Sequence, residues 1–180
     1  PLRRQRQMCI RVSLWLDWRE VYGVDQYLVF DITDDKNDFK GTTATSDIAF
    51  HDLNPAWEYD FLVLAYDANG TLLAWGIAEN VCAACEPAKN LSVSVSDSNT
   101  INASWEYVAC HGYYIQWSTD PTFTDKSKIQ GAWINGTYST NYTIKTSDSA
   151  DKYYVRVRCW KNYQGGYIYS DFCSPVSAAK

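Results

Sequence analysis

The feature that most constrains this chain is a period-two alternation of apolar side chains in short runs, laid down twice in the same order. From Cys9 to Trp18, residues Ile10, Val12, Leu14, Leu16 and Trp18 share one face, and Trp15 falls on the other. Such alternation marks a strand with one buried and one solvated face. A second run around Tyr27–Asp31 puts Tyr27 and Val29 together, and a short one follows near Ile48–Phe50. Tyr59, Phe61, Val63 and Ala65 then alternate, and Asn69-Gly70 turns the chain into a run from Leu72 to about Ile77. Asn-Gly is a strong hairpin signal because both residues tolerate positive φ.

The pattern breaks at Val81–Pro87 and restarts. Leu91, Val93 and Val95 form one run, Ile101, Ala103 and Trp105 a second, Tyr113, Ile115 and Trp117 a third. A polar loop, Thr119–Lys128, precedes runs near Ile129–Trp133 and Tyr142–Ile144. Tyr153, Val155, Val157 and Cys159 then face inward, with Tyr154, Arg156, Arg158 and Trp160 outward. Gly165-Gly166 leads into a last run from Tyr167 to about Val176. In each half a Trp-bearing run precedes a Tyr-bearing one, Trp18 to Tyr27 and Trp105 to Tyr113, and a Tyr opens the long run, Tyr59 and Tyr153. Short strands at regular spacing, twice over, predict an all-β chain of two tandem β-sandwiches, residues 1–86 and 87–180. Fourteen Tyr and eight Trp against a single Met fit pleated surfaces, and no stretch carries a 3.6-residue period.

The formal charge of −5 is unevenly spread. Residues 1–86 hold 7 basic and 14 acidic side chains, and residues 87–180 hold 9 and 7. Neither half has the basic face that nucleic acid requires, and Arg3, Arg4 and Arg6 read as a solvated tail. No apolar run approaches the roughly 18 residues of a membrane span. The first residues lack the shape of a signal peptide, so the chain is expected to be a mature product or a piece of a longer protein.

Six cysteines, Cys9, Cys82, Cys85, Cys110, Cys159 and Cys173, favour disulfides and an oxidising compartment. Five Asn-x-Ser/Thr triplets, at Asn69, Asn90, Asn102, Asn135 and Asn141, are compatible with glycosylation there. Cys82-Ala-Ala-Cys85 has redox or zinc spacing, but a βαβ setting is missing, and zinc would need two further ligands, which Cys110 and His111 could supply, so structural disulfides are the better reading. The two histidines, His51 and His111, fall in different halves and complete no catalytic pattern. The acidic stretch Asp31–Asp38 lacks the spacing and glycine of a calcium loop. No catalytic residue, metal ligand or cofactor is therefore assigned. Trp15, Trp75, Trp133 and Trp160 cannot all be core residues on simple alternation, which makes them candidates for a contact surface.

The second half resembles the fibronectin type III family. The likeness is carried by Trp105, by Gly112–Phe123 (GYYIQWSTDPTF), by Tyr153–Trp160 (YYVRVRCW) and by Tyr169–Ala178 (YSDFCSPVSA). The GYYIQWSTDPTF wording is most similar to repeats of bacterial surface proteins. The first half is similar through His51–Gly70 (HDLNPAWEYDFLVLAYDANG), and Tyr59 and Tyr153 stand where the family has its tyrosine corner. Arg156 and Arg158 among Tyr154, Trp160, Tyr167 and Tyr169 resemble the Arg/Trp ladder of cytokine-receptor modules, with YSDFCS a degraded form of their WSxWS box.

The resemblance implies that the first domain's opening strand is short, displaced or missing, leaving a sheet edge open to a neighbouring subunit. It also gathers the cysteines toward the junction between the domains. With three per half, at least one bridge would have to cross if all are oxidised within one chain, and the preferred set is Cys9–Cys82, Cys85–Cys110 and Cys159–Cys173. The function expected is a non-catalytic extracellular adhesion or surface-assembly module with a protein or glycan ligand. An ancillary module of a secreted carbohydrate-active enzyme and a receptor-type ectodomain are the alternatives.

Overall fold

The computed structural model describes residues 14–146 and 150–180. Two compact units divide the chain, Pro1–Ala84 and Cys85–Lys180. The sequence-based boundary falls two residues later, and the shift matters for the cysteines. Cys85 belongs to the second unit, so the units hold two and four cysteines, Cys9 and Cys82 against Cys85, Cys110, Cys159 and Cys173. Counting therefore does not demand a bridge between them.

In the first unit, β1 (Leu14–Asp17) pairs antiparallel with β4 (Asp47–Phe50). Facing them is a sheet of β2 (Gln26–Asp31), β3 (Asp38–Thr43), β5 (Glu58–Tyr66) and β6 (Leu72–Cys82), in the order β3-β2-β5-β6. Alternation works as the sequence predicts: Leu14 and Leu16 from one sheet meet Tyr27, Val29, Phe61 and Val63 from the other in one core. Each such side chain, once buried, contributes about 1.5–3 kcal/mol. The strand β3 has no counterpart in the alternation, because it is an edge strand with no buried residue. Cys9 and the expected short first strand lie outside the described residues.

In the second unit, β7 (Lys89–Asp97), β8 (Thr100–Glu106) and β11 (Asn141–Lys145) make a three-stranded sheet. The other sheet centres on β9 (Gly112–Ser118) and β12 (Lys152–Tyr163), with β10 (Gln130–Asn135) beside β9. The last run is split: β13 (Gly166–Tyr169) pairs with the end of β12 and β14 (Val176–Ala179) with its start. Ile101, Trp105, Tyr113, Ile115, Ile144, Val155 and Val157 fill the core.

The Trp-to-Tyr repeat has the same physical basis in both units. Trp18 meets Tyr27 edge to face at 5.1 Å, and Trp105 meets Tyr113 likewise at 5.2 Å. Each Tyr hydroxyl accepts from the backbone N–H three residues beyond its Trp, Val21 at 2.9 Å and Val108 at 3.3 Å. A buried phenol needs a partner, and the chain leaving the Trp strand supplies one. In the first unit, the Tyr59 hydroxyl also accepts from the Asn54 N–H at 2.7 Å, fixing the corner before β5. The position five residues upstream of Tyr153 falls outside the described residues.

Candidate functional site

The outward side of β9, β10 and β12 carries a continuous stack of aromatic rings and guanidinium groups. Its first layer is built by the loop Asp120–Asp125. The Asp120 carboxylate accepts from the N–H groups of Thr122, Thr124 and Asp125 at 2.8–2.9 Å and from both threonine hydroxyls. These donors, the Asp125 N–H first, hold its pKa well below the usual carboxylate range. The loop so formed turns Phe123 inward at φ 54°, burying it against the Arg156 guanidinium at 4.0 Å. This is the structural content of the STDPTF wording.

Arg156 lies between two rings, Phe123 and Phe172, each 4.0 Å from its guanidinium carbon. It also donates twice to the Gln116 side-chain oxygen, at 3.0 and 2.7 Å. Burial, and then the neighbouring Arg158, lower its pKa. Arg158 continues the stack over Tyr169 at 4.1 Å and Phe172 at 4.8 Å. Each such contact contributes about 0.5–2 kcal/mol, more where water is excluded. Tyr154, expected among these groups, sits instead under the Lys152 ammonium.

The segment between β13 and β14 clamps the stack to β12. Where a strand would offer carbonyls, Ser170 and Cys173 offer side chains. The Cys159 N–H donates to Ser170 Oγ at 2.9 Å, and the Val157 N–H to Cys173 Sγ at 3.3 Å. In return, the N–H groups of Ser170 and Cys173 donate to the Cys159 and Val157 carbonyls. The segment YSDFCS thus acts as a side-chain ladder that aims Phe172 and Tyr169 at the arginines.

At the far end the rings reach solvent. Trp133 on β10 is 51% exposed and Tyr167 on β13 57% exposed, with their centroids 5.8 Å apart. Beneath them lie Tyr114, 4.7 Å from Trp133, and Trp160, 5.9 Å from Trp133 and 5.5 Å from Tyr167. Trp160 is a correction to the sequence reading: it is only 7% exposed, and its indole N–H donates to the Tyr113 carbonyl at 3.2 Å. It supports the surface rather than forming it. The room for its ring comes from Gly112, directly opposite it in the ladder.

The other candidates are dispersed. Trp75 is 66% exposed on β6 of the first unit, beside a shallow cavity of about 230 Å³ that Trp18, Arg19, Tyr27 and Val63 also line. Trp15 on β1 is half-buried. All five sequon asparagines, Asn69, Asn90, Asn102, Asn135 and Asn141, are exposed. Asp31 is buried and used internally, accepting from Thr33 and pairing with Lys40 at 3.6 Å. His111 is exposed and accepts from the Asn162 N–H at 3.1 Å.

Of the preferred pairs, Cys9–Cys82 involves a residue outside those described, and Cys159 meets Cys110. Cys110, Cys159 and Cys173 carry free thiols. Cys173 is occupied at the Val157 N–H, whereas Cys159 points into the core and hydrogen-bonds with Cys110. The reason is strand parity together with the ladder role of Cys173, which no cysteine count reveals. Sequence reasoning also missed Phe123, Phe172 and Tyr114. The outward parity of Tyr114 was a usable signal, but the phenylalanines belong to loops without a period.

The two-domain fibronectin type III segment of chicken tenascin is similar to this chain over 99% of both chains, with TM-score 0.53 and 12% identity. The FN1-FN3 domains of chicken CNTN1 are similar over 92% of this chain and 62% of that one, with TM-score 0.44 and 14% identity. The chain thus spans 62% of the length of the CNTN1 segment. No family model and no curated protein matches the sequence. The fold is that of two tandem fibronectin type III β-sandwiches.

Proposed function

We propose that this chain is a non-catalytic contact module of a secreted or cell-surface protein, engaging a glycan or protein through the aromatic face of its second unit. The observation that carries this reading is the Trp133–Tyr167 pair. Two large rings stand half in solvent on a base fixed by Trp160, Tyr114 and Tyr169. Rings held in place lose little entropy on binding, and Tyr and Trp dominate the energetics of contact surfaces. Planar exposed rings suit a sugar face as well as an apolar protein side chain.

Adhesion and surface assembly are the settings that this surface fits. In a longer polypeptide it would serve equally as the ancillary module of a carbohydrate-active enzyme or as part of a receptor ectodomain. The sequon asparagines are then acceptor sites, and an open edge of the first unit is a second route to subunit assembly. Binding of the full chain to a glycan array, and its self-association by sedimentation velocity, test the reading against Trp133→Ala and Tyr167→Ser. Loss of a bound glycan or of self-association in both variants supports it. Retained binding in both, with the second unit still folded, refutes the assignment of this face.

A further inference from the structure

We propose that Cys110 and Cys159 form a disulfide within the second unit, opened to oxidation at Cys110 and closed by Cys159. The proposal goes beyond the contact reading and does not depend on it.

The geometry begins at the turn between β8 and β9. The His111 N–H donates to the Trp160 carbonyl at 2.9 Å, tying this turn to β12. Cys110 is therefore held one residue before a fixed point, and Cys159 one residue before another. Cys159 is fully buried and lies opposite Tyr113 in the ladder. The Tyr113 hydroxyl is anchored from Val108 and donates to the Thr137 carbonyl at 3.0 Å, and it also lies beside Cys110. The two thiols converge over this tyrosine and hydrogen-bond to each other. Cys173 is engaged on the backbone of Val157, and Cys85 reaches the surroundings of Cys159 through its charge.

The surroundings give the two sulfurs different roles. The Cys159 thiol donates to Cys110, and this, with smaller help from Tyr113, Thr137 and the Gly112 N–H, lowers the Cys110 thiol to about 7. Cys110 is also the partly exposed member. The Cys159 thiol is pushed up, first by its bond to the Cys110 sulfur and then by burial. In a compartment supplied with glutathione disulfide, the Cys110 thiolate attacks one sulfur of that reagent and expels a glutathione thiolate. Mixed-disulfide formation removes the negative sulfur that held the Cys159 proton. Cys159 then loses its proton to solvent and attacks Cys110 Sγ, expelling the second glutathione. In total, two protein thiols become one disulfide and one glutathione disulfide becomes two glutathiones.

Tryptic cleavage makes the pairing readable. Cys110 falls in Asn90–Lys126, Cys159 in the tripeptide Cys159–Lys161, Cys173 in Asn162–Lys180, and Cys82 with Cys85 in Gly41–Lys89. The full chain, reduced and then equilibrated with glutathione and its disulfide, is capped with N-ethylmaleimide and digested in denaturant at mildly acidic pH. The expected product is Cys159–Lys161 joined to Asn90–Lys126. Joining of Cys159–Lys161 to Gly41–Lys89 or Asn162–Lys180, or capping of both thiols, overturns the proposal. The order of attack is tested in the native reduced chain, where Cys110 should be capped at least ~10-fold faster than Cys159. Equal rates overturn the assigned roles. In Cys110→Ser, Cys159 should stay reduced until denaturation, and its oxidation at the parental rate would count against the pair.

Discussion

Replacing Gly112 by Ala is the sharpest available perturbation, because one methyl group meets two immovable neighbours. A Cβ at this position would overlap the Ile134 carbonyl oxygen and lie 2.7 and 2.8 Å from the Trp160 ring atoms Cζ2 and Cε2. The first obstacle is backbone in the β9–β10 ladder, where Ile134 pairs with Tyr113. The second is a buried indole whose N–H is committed to Tyr113. Neither can rotate away, so the cost belongs at the upper end of overpacking, about 3 kcal/mol. For a unit of this size, each kcal/mol moves the thermal midpoint by roughly 4–8 °C, which gives a fall of about 12–24 °C. Urea and thermal unfolding followed by tryptophan fluorescence read this out. The transition of the first unit serves as internal reference, since distant sites add independently. Gly166→Ala is the control: its nearest neighbour is the Tyr163 carbonyl at 3.7 Å, and its effect should stay within about 0.5 kcal/mol. A Gly112→Ala midpoint within the same margin would refute the argument that Gly112 makes room for Trp160. The contact proposed for Trp133 should weaken in the same variant, since the ring beneath it must move.

Three further outcomes are expected. Tyr59→Phe removes the acceptor of the Asn54 N–H and should destabilise the first unit by about 1 kcal/mol, measured by urea unfolding and leaving the second unit unchanged. In Asp120→Ala the loop loses the acceptor of its N–H groups, so Phe123 should leave Arg156, seen as faster proteolysis at residues 120–125 and a changed near-ultraviolet dichroism. The fully reduced second unit should gain stability from pH 7 to 9 and lose it above. In the lower window the unfolded chain holds the Cys110 proton that the folded chain has released; above it, the folded chain holds the Cys159 proton that the unfolded chain has released. Burial raises the Cys173 thiol too and adds to the upper fall. Urea midpoints across this range, compared with Cys110→Ser/Cys159→Ser, measure the effect, and a flat profile in the parent chain would count against it.

Much of the fold was legible because it rests on local rules. Period-two alternation assigned Leu14, Leu16, Tyr27, Val29, Phe61 and Val63 to one core, and Tyr113, Ile115, Tyr153, Val155 and Val157 to another. The repeated Trp-to-Tyr spacing exists because each Tyr hydroxyl needs a donor on the chain that leaves its Trp. The edge strand β3 was not legible, since a strand that buries nothing carries no hydrophobic period. Loop residues escaped for a related reason: Phe123 is buried by the hydrogen bonds of Asp120, not by its place in a repeat.

The sequence by itself determined two β-sandwiches, the outward parity of Arg156 and Arg158, and the exposure of Trp75 and Trp133. Tertiary structure decided the rest, because it depends on which strand ends meet. Alternation gave Trp160 to solvent, yet the glycine opposite it let the indole fold down under Trp133 and Tyr167. Six cysteines carry no record of their neighbours. It was the tie between the β8–β9 turn and the end of β12 that set Cys110 against Cys159, and the split of the last strand that spent Cys173 on the backbone of Val157.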